Sequence, residues 1–337
     1  MTYARKTQIC LQDTPYYHLV GRCVRRAWLC GFDQYSGRDY SHRKQWVLER
    51  LRQLTSVCAI NVCAYAILSN HYHLVVHVDQ AKAKAWTMRE VVERWTSLFS
   101  APPMVERWLT GEAGPAERDV AETTIRIWRA RLYDVSWFMK CLNEHLARRA
   151  NAEDGCTGHF WQSRFKSQAL LDEPALITAM VYVDLNPMRA GIAGTPEESE
   201  FTSIYERIRE LRQRPSAASG VERKTHDELT TPIPLVPFKP DARGDEIAIP
   251  YRLEDYLRLL DWTGRAIDPK RASIEKHLPS IIQRLNIDAD AWRLAMRPRG
   301  NVFGRAIGKL DHLRLHATTL GQSWVRGLRQ SRRLYPA

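Results

Sequence analysis

Two histidines one residue apart, His71 and His73, stand in the run AYAILSNHYHLVVHV over residues 64–78. Imidazole is the commonest protein ligand for a transition-metal cation. On a strand, residues at i and i+2 share a face, with Cα atoms roughly 7 Å apart. The run reads as a strand, a short turn at Ser69-Asn70, and a second strand that opens on His71. His71, His73 and His77 then point one way. Tyr72, Leu74, Val76 and Val78, all of core type, point the other. An exposed strand edge carrying histidines has the same spacing, so a metal site needs a further donor. His77 shares the face without an assigned role.

Further donors occur in DEPALITAMVYVDLN, which reads as a helix starting near residues 172–174, where Pro174 suits a first turn. At about 100° per residue, Leu176, Ile177, Met180, Val181 and Leu185 gather on one side. Tyr182 lies opposite, with small Ala175 and Ala179 around it, and Asn186 follows one turn later. Pro187 biases Asn186 away from helical angles, so that spacing is approximate. Asp184 falls inside the apolar arc and has no place in the pattern. The pair is compatible with a partly exposed tyrosine and a capping asparagine. Joined to His71 and His73 it does more. Two imidazoles and one amide oxygen would hold a divalent cation with positions left open. Such a cation polarises a phosphodiester and helps align Tyr182 for in-line attack. The product would be a phosphotyrosyl enzyme and a free 3′-hydroxyl, with the bond energy kept for rejoining.

The elements that must position these groups follow from periodicity. Residues 16–24, YYHLVGRCV, read as a first strand, and residues 39–55 as an amphipathic helix with Trp46, Val47, Leu51 and Leu54 inward. Residues 79–151 are helical in character, broken at Ala101-Pro102-Pro103 and at residues 111–115. Residues 158–171, GHFWQSRFKSQALL, alternate as a strand, with Trp161 and Phe165 on one face. Gln162, Arg164, Lys166 and Gln168 form the other face, either plain solvent exposure or a ledge for phosphate. A short helix is expected over 202–214, a Pro-rich linker over 215–250, and only short helices beyond it, around 253–262, 273–285, 288–296, 303–307, 310–320 and 324–328.

Length and charge bound the rest. At 337 residues the chain can bury a sizeable core, and two domains are the prior. Lys and Arg number 50 against 38 Asp and Glu, a net +12 that fits a polyanionic partner. Residues 291–337 hold ten Lys or Arg against one acid, interleaved with Trp292, Phe303, Trp324 and Tyr335. A basic and aromatic stretch suits a nucleic-acid backbone with bases to stack on, and equally an Arg-rich helical surface. The candidate DNA contacts are Arg164, Lys166, Arg297 and Arg299. Seven cysteines without a CxxC pair fit reduced thiols in a cytoplasmic protein better than a disulfide framework. No apolar signal core or membrane-spanning run is present.

The runs AYAILSNHYHLVV, GHFWQSRFKS and VYVDLNPMRAGI, in this order, resemble the REP-associated tyrosine transposases, a branch of the HUH single-strand endonucleases. The resemblance spans residues 16–214. It implies an α+β fold: a ferredoxin-like antiparallel sheet backed by helices. A nuclease domain over 1–214, with a helical insertion near 105–132, would precede the linker over 215–250 and a small, mainly helical C-terminal domain over 251–337. It also implies a divalent cation, Mg2+ or Mn2+, on His71 and His73, with Asn186 as third ligand and Tyr182 as nucleophile. The substrate implied is hairpin-bearing single-stranded DNA, cut and rejoined through a 5′-phosphotyrosine. Ser69 departs from the proline common before Asn-His. Three alternatives stay open: a relaxase or replication initiator of the same chemistry, a domesticated non-catalytic hairpin-binding protein, and a histidine phosphoesterase. The last normally needs a second histidine motif, and none stands out.

Overall fold

The computed structural model describes residues 8–24, 29–34, 37–213, 233–242, 244, 246–267, 279–296 and 304–336. Its centre is the hairpin of β4 (Ile60–Ile67) and β5 (His71–Val78), which follows β1 (Tyr16–Arg22) and a small ribbon, β2 (Phe32–Asp33) with β3 (Arg38–Asp39). The amide of Leu68 donates to the His71 carbonyl, closing a two-residue turn at Ser69-Asn70 as the sequence predicts. β1 lies between β5 and β6 (Lys166–Leu170), antiparallel to both, and the sheet order is β4-β5-β1-β6-β7. Strand, helix, hairpin, helices and strand in that order make the ferredoxin-like α+β fold. The sheet's edges are covered among the described residues. Thr202 and Leu235 pair with β4, and β7 (Ala306–Ile307) pairs parallel with β6. Covering them satisfies backbone groups that an open edge would expose.

Helices form a layer on each face. On one lie α1 (Arg43–Val57), α2 (Gln80–Ala85), α3 (Met88–Thr96), α4 (Pro103–Thr110), α5 (Pro115–Leu132) and α6 (Val135–Asp154). Their buried side chains share one core with Tyr72, Leu74, Val76 and Val78, the face of β5 expected to be apolar. Helix α1 contributes Val47, Leu51 and Leu54, whose spacing puts them on one stripe. The insertion helices α4 and α5 pack together through Val105, Ala121 and Ile125, so the Pro- and Gly-marked breaks at 101–103 and 111–115 are turns within one layer.

The opposite face carries α7 (Glu173–Asp184), α8 (Asn186–Arg189), α9 (Ser203–Gln213) and the later helices α10 (Leu253–Ile267), α11 (Ser280–Arg284) and α12 (Ala289–Met296). Helix α13 (Leu310–Thr319) puts Leu313 in the first core, and α14 (Leu328–Leu334) puts Leu334 in the second. Ala64, Ala66 and Val75 of the sheet, Ala175, Ala179 and Met180 of α7, and Tyr256, Leu260, Ile282 and Trp292 of the later helices form a single second core. The described part of the Pro-rich stretch joins it through Val236, whose amide donates to the Val62 carbonyl.

Four expectations change. The strand over 158–171 shrinks to β6, with Trp161 as an isolated bridge to Cys23. Phe160 and Trp161 both pack on the first core, which strand alternation forbids for neighbours, and the Trp161 indole N–H donates to the Asn143 carbonyl at 2.8 Å. The stretch read as helix around 303–307 supplies β7 instead, because β6 offers it an edge; Phe303 lies outside the described residues. The last helix is α14, displaced from 324–328. Finally, the side of α7 expected to be uncrowded is buried: Ala175 and Ala179 are covered, because sheet and later helices enclose α7 all round.

Candidate functional site

Strand register sets the site. Cross-strand partners share a sheet face, so Ala66, His73, Val20 and Lys166 form one row across β4, β5, β1 and β6. Ala64, Val75, His18 and Gln168 form the next, and Arg22 stands opposite His71. The rows face α7, whose C-terminal end hangs over the histidines. Small Ala64 and Ala66 let the helix approach there, while the larger groups are confined to the open end.

The start of β5 is held from behind. Tyr72 points into the first core, where its hydroxyl donates to Asn143 Oδ1 at 2.6 Å and its ring meets Trp161 edge-on. It lies across Gly21, where an added Cβ would come within 2.6 Å of the ring. His71 and His73 are thus fixed by the residue between them. Their ring centroids are 5.0 Å apart. Nδ1 of His71 lies 2.6 Å from Asn70 Oδ1. Nδ1 of His73 lies 2.9 Å from His18 Nε2, and Nε2 of His73 lies 3.2 Å from the Asn186 amide nitrogen. Burial, helped by the Arg22 charge, pushes the His71 pKa down to about 4. His73 is pushed well below the ordinary range by burial and then by the positive ends of His18, His71 and Arg189. Burial lowers His18 as well. All three rings are neutral at neutral pH, the form a metal ligand requires.

From the other side, α7 runs from the Asp172 cap, whose side chain accepts from the Ala175 amide, to Asp184. Leu185 breaks the helix, and Asn186 opens α8 with Pro187 in its first turn. The approximate one-turn spacing therefore resolves into two helices, and the break turns Asn186 onto His73. Tyr182 keeps partial exposure, its ring 5.8 Å from that of His73 and 6.0 Å from that of His18. Arg189, one turn beyond Asn186, lays its guanidinium over the Tyr182 ring at 4.1 Å.

Asp184, the misfit of the helical pattern, is accounted for. Its buried carboxylate accepts from Ser203 Oγ at 2.5 Å, Tyr256 Oη at 2.6 Å and the Ile204 amide at 3.2 Å. It clamps the end of α7 to α9 and α10. Arg207 stands nearby, donating to the carbonyls of Cys63 and Val236.

The donor set suits a divalent cation. Two ligands bound to one ion at about 2.1 Å and at right angles stand roughly 3 Å apart, the scale of the Asn186–His73 separation. Half a turn of the Asn186 carboxamide puts oxygen in place of nitrogen. Among the described residues no three His, Cys, Asp or Glu side chains are arranged to hold an ion, so the candidate set is two imidazoles and this carboxamide.

The remaining predicted residues divide. Lys166 is exposed, in the row of His73 and about two strand spacings from it. Arg164 is exposed ahead of β6, and Arg297 and Arg299 lie outside the described residues. Trp292 and Tyr335 are buried in the second core, so these two tail aromatics pack instead of presenting rings to bases. His77 lies at the far end of β5 against the Tyr16 ring and near Asn61. Sequence reasoning missed His18, Gln168 as its partner, and Arg189. His18 shows itself only through strand pairing. Arg189 could have been flagged as the cation one turn after Asn186.

No helix among the described residues is long and apolar enough to cross a membrane. No protein-family model matches the chain, and no curated protein matches it. Among solved structures it is similar to a REP-associated tyrosine transposase bound to a REP hairpin. The identity is 12%, over 66% of this chain and 96% of that one, with a TM-score of 0.37. A likeness that distant carries no conclusion, and the reading of the site rests on its residues.

Proposed function

We propose that the protein is a metal-dependent, tyrosine-using single-strand DNA endonuclease and strand transferase acting on hairpin-bearing DNA. The observation that carries this reading is the convergence on His73 of Asn186 from α8, at 3.2 Å, and the Tyr182 ring from α7, at 5.8 Å. Support also comes from the order of the three sequence motifs. In this reading His71, His73 and Asn186 hold a divalent cation, Mg2+ or Mn2+, which when bound withdraws charge from a phosphodiester.

The chain's own groups do the rest. The Tyr182 hydroxyl gives its proton to water and its oxygen attacks phosphorus. The bond to the 3′-oxygen breaks, and that oxygen takes a proton from water and leaves as a 3′-hydroxyl. The other fragment stays on the enzyme as a 5′-phosphotyrosine. Attack by a second 3′-hydroxyl reverses the step and joins strands. Arg189, stacked on the Tyr182 ring, puts positive charge beside the phenol that becomes an anion, and Arg22 and Lys166 place positive charge on the same sheet face as the histidines.

The test is a denaturing gel with a labelled hairpin oligonucleotide and Mg2+ or Mn2+. The unmodified protein is expected to form a covalent adduct, and Tyr182→Phe to bind equally and form none. An adduct with Tyr182→Phe would move the nucleophile elsewhere. Binding without cleavage by the unmodified protein would favour a hairpin-binding protein without chemistry.

A further inference from the structure

His18 on β1 and Gln168 on β6 face the site but take no part in the step above. Their hydrogen bonds form a chain whose direction can be read from its far end. The Gly304 carbonyl only accepts, so the Gln168 amide N–H donates to it. This turns Gln168 Oε1 toward His18 Nδ1, 3.0 Å away. An amide oxygen only accepts, so the hydrogen of His18 sits on Nδ1. A neutral imidazole carries one N–H, which makes His18 Nε2 an acceptor. His73 Nδ1, 2.9 Å from it, must then donate. His73 Nε2 is left with its lone pair bare, and it is this atom that meets the Asn186 carboxamide.

We propose that His18 and Gln168 are positioning residues: anchored on the Gly304 carbonyl, they hold His73 as its Nδ1–H tautomer and present Nε2 to the divalent cation. This rests on the metal site proposed above. An imidazole ligand is oriented by the bond its other nitrogen makes, and such outer partners tune affinity. Here the outer partner is itself oriented, and both rings are close to coplanar, 15° apart with centroids at 5.1 Å. The anchor is rigid. A Cβ on Gly304 would fall 2.3 Å from the Arg326 carbonyl oxygen, and the next residue's carbonyl accepts from the Ala169 amide on β6. The C-terminal segment thereby reaches the chemistry through three hydrogen bonds, without contacting substrate.

The opposite hydrogen arrangement has a distinct consequence. If His18 carried its hydrogen on Nε2, His73 would accept at Nδ1 and carry its own hydrogen on Nε2, which blocks the ligand position. The two states differ in a spectrum that requires neither metal nor DNA. Two-bond proton–nitrogen correlation on the full chain labelled with [15N]histidine, assigned with His71→Gln and His73→Gln, reads the tautomers. Protonated Nδ1 and bare Nε2 are expected at both His18 and His73. Protonated Nε2 at His73, or a rapid mixture of tautomers, would overturn the proposal.

A Mn2+ titration of the full chain without DNA, following free Mn2+ by electron paramagnetic resonance, gives the second readout. His18→Leu is expected to weaken Mn2+ binding about 10- to 100-fold. His18→Gln, whose amide oxygen can accept from His73 Nδ1, is expected to restore most of it. Equal losses in both variants would reduce His18 to a packing role and sink the idea. Should the unmodified protein take up no Mn2+, the metal site fails, while the tautomer spectrum still decides the hydrogen-bond chain.

Discussion

The Asn186 carboxamide stands 3.2 Å from His73 Nε2, joining the first residue of a short helix to the third residue of β5. The contact exists because α7 stops at Asp184 and the chain restarts at Asn186. Asn186→Leu keeps the bulk and removes the oxygen. Adduct formation at Tyr182 is expected to fall by roughly 10²-fold or more, the scale of losing one stabiliser of a charged transition state. Hairpin binding by gel shift should stay within a few-fold. Undiminished adduct formation would remove Asn186 from the site.

Arg189 lies over the Tyr182 ring at 4.1 Å. Arg189→Ala is expected to slow single-turnover adduct formation strongly. Arg189→Lys should recover little, because an ammonium reproduces neither the planar stacking nor the fork of donors. Full recovery with lysine would mean that only charge matters there.

Asp184 links stability to pH. Burial raises its carboxyl to about 6, against the opposing pull of Ser203, Tyr256, Arg207 and the Ile204 amide. The folded state therefore holds a proton that the unfolded chain, with an ordinary carboxyl near 4, releases earlier. This contribution is fully present below about pH 4 and is lost as pH rises through about 6, a change on the order of 3 kcal/mol. Urea titrations across that window should show the slope, and Asp184→Asn should flatten it. An identical slope in the variant would place the proton uptake on another group.

Gly21 is required by the Tyr72 ring laid across it. Gly21→Ala forces that ring away from Asn143, and overpacking of this kind costs about 1–3 kcal/mol. Because Tyr72 sits between His71 and His73, Mn2+ affinity should fall with stability. A destabilised variant that retains full Mn2+ affinity would show that the histidines are held independently.

The basic tail calls for charge substitutions, since Trp292 and Tyr335 are core residues against α7 and its partners. Removing residues 291–337 would strip that core as well as the charge. If Arg297 and Arg299 both contact phosphates, changing them to Gln should reduce the slope of log K against log salt by about 1.4 on single-stranded DNA. An unchanged slope would assign them to packing or to another partner.

The hairpin with its turn at Ser69-Asn70, the apolar face of β5 and the start of α7 near Pro174 were legible in the sequence, because each is written in residues close along the chain. Alternation, turn chemistry and helix caps act over a few positions. The same local logic singled out His71, His73, Tyr182 and Asn186, and the tertiary structure gathers these four at one end of the sheet. Other features are contacts between distant segments, which periodicity does not encode. Asp184 looked misplaced on a helical wheel until Ser203 and Tyr256 arrived from later helices. Ala175 and Ala179 looked like an open side until sheet and C-terminal helices enclosed them. His18 carried no signal within its strand and became a partner of His73 only through strand register. Residue types and local spacing therefore named the candidate groups of this chain. Pairing and packing over long sequence separations decided which groups His18 and His73 meet, which charge is buried, and what holds the start of β5 in place.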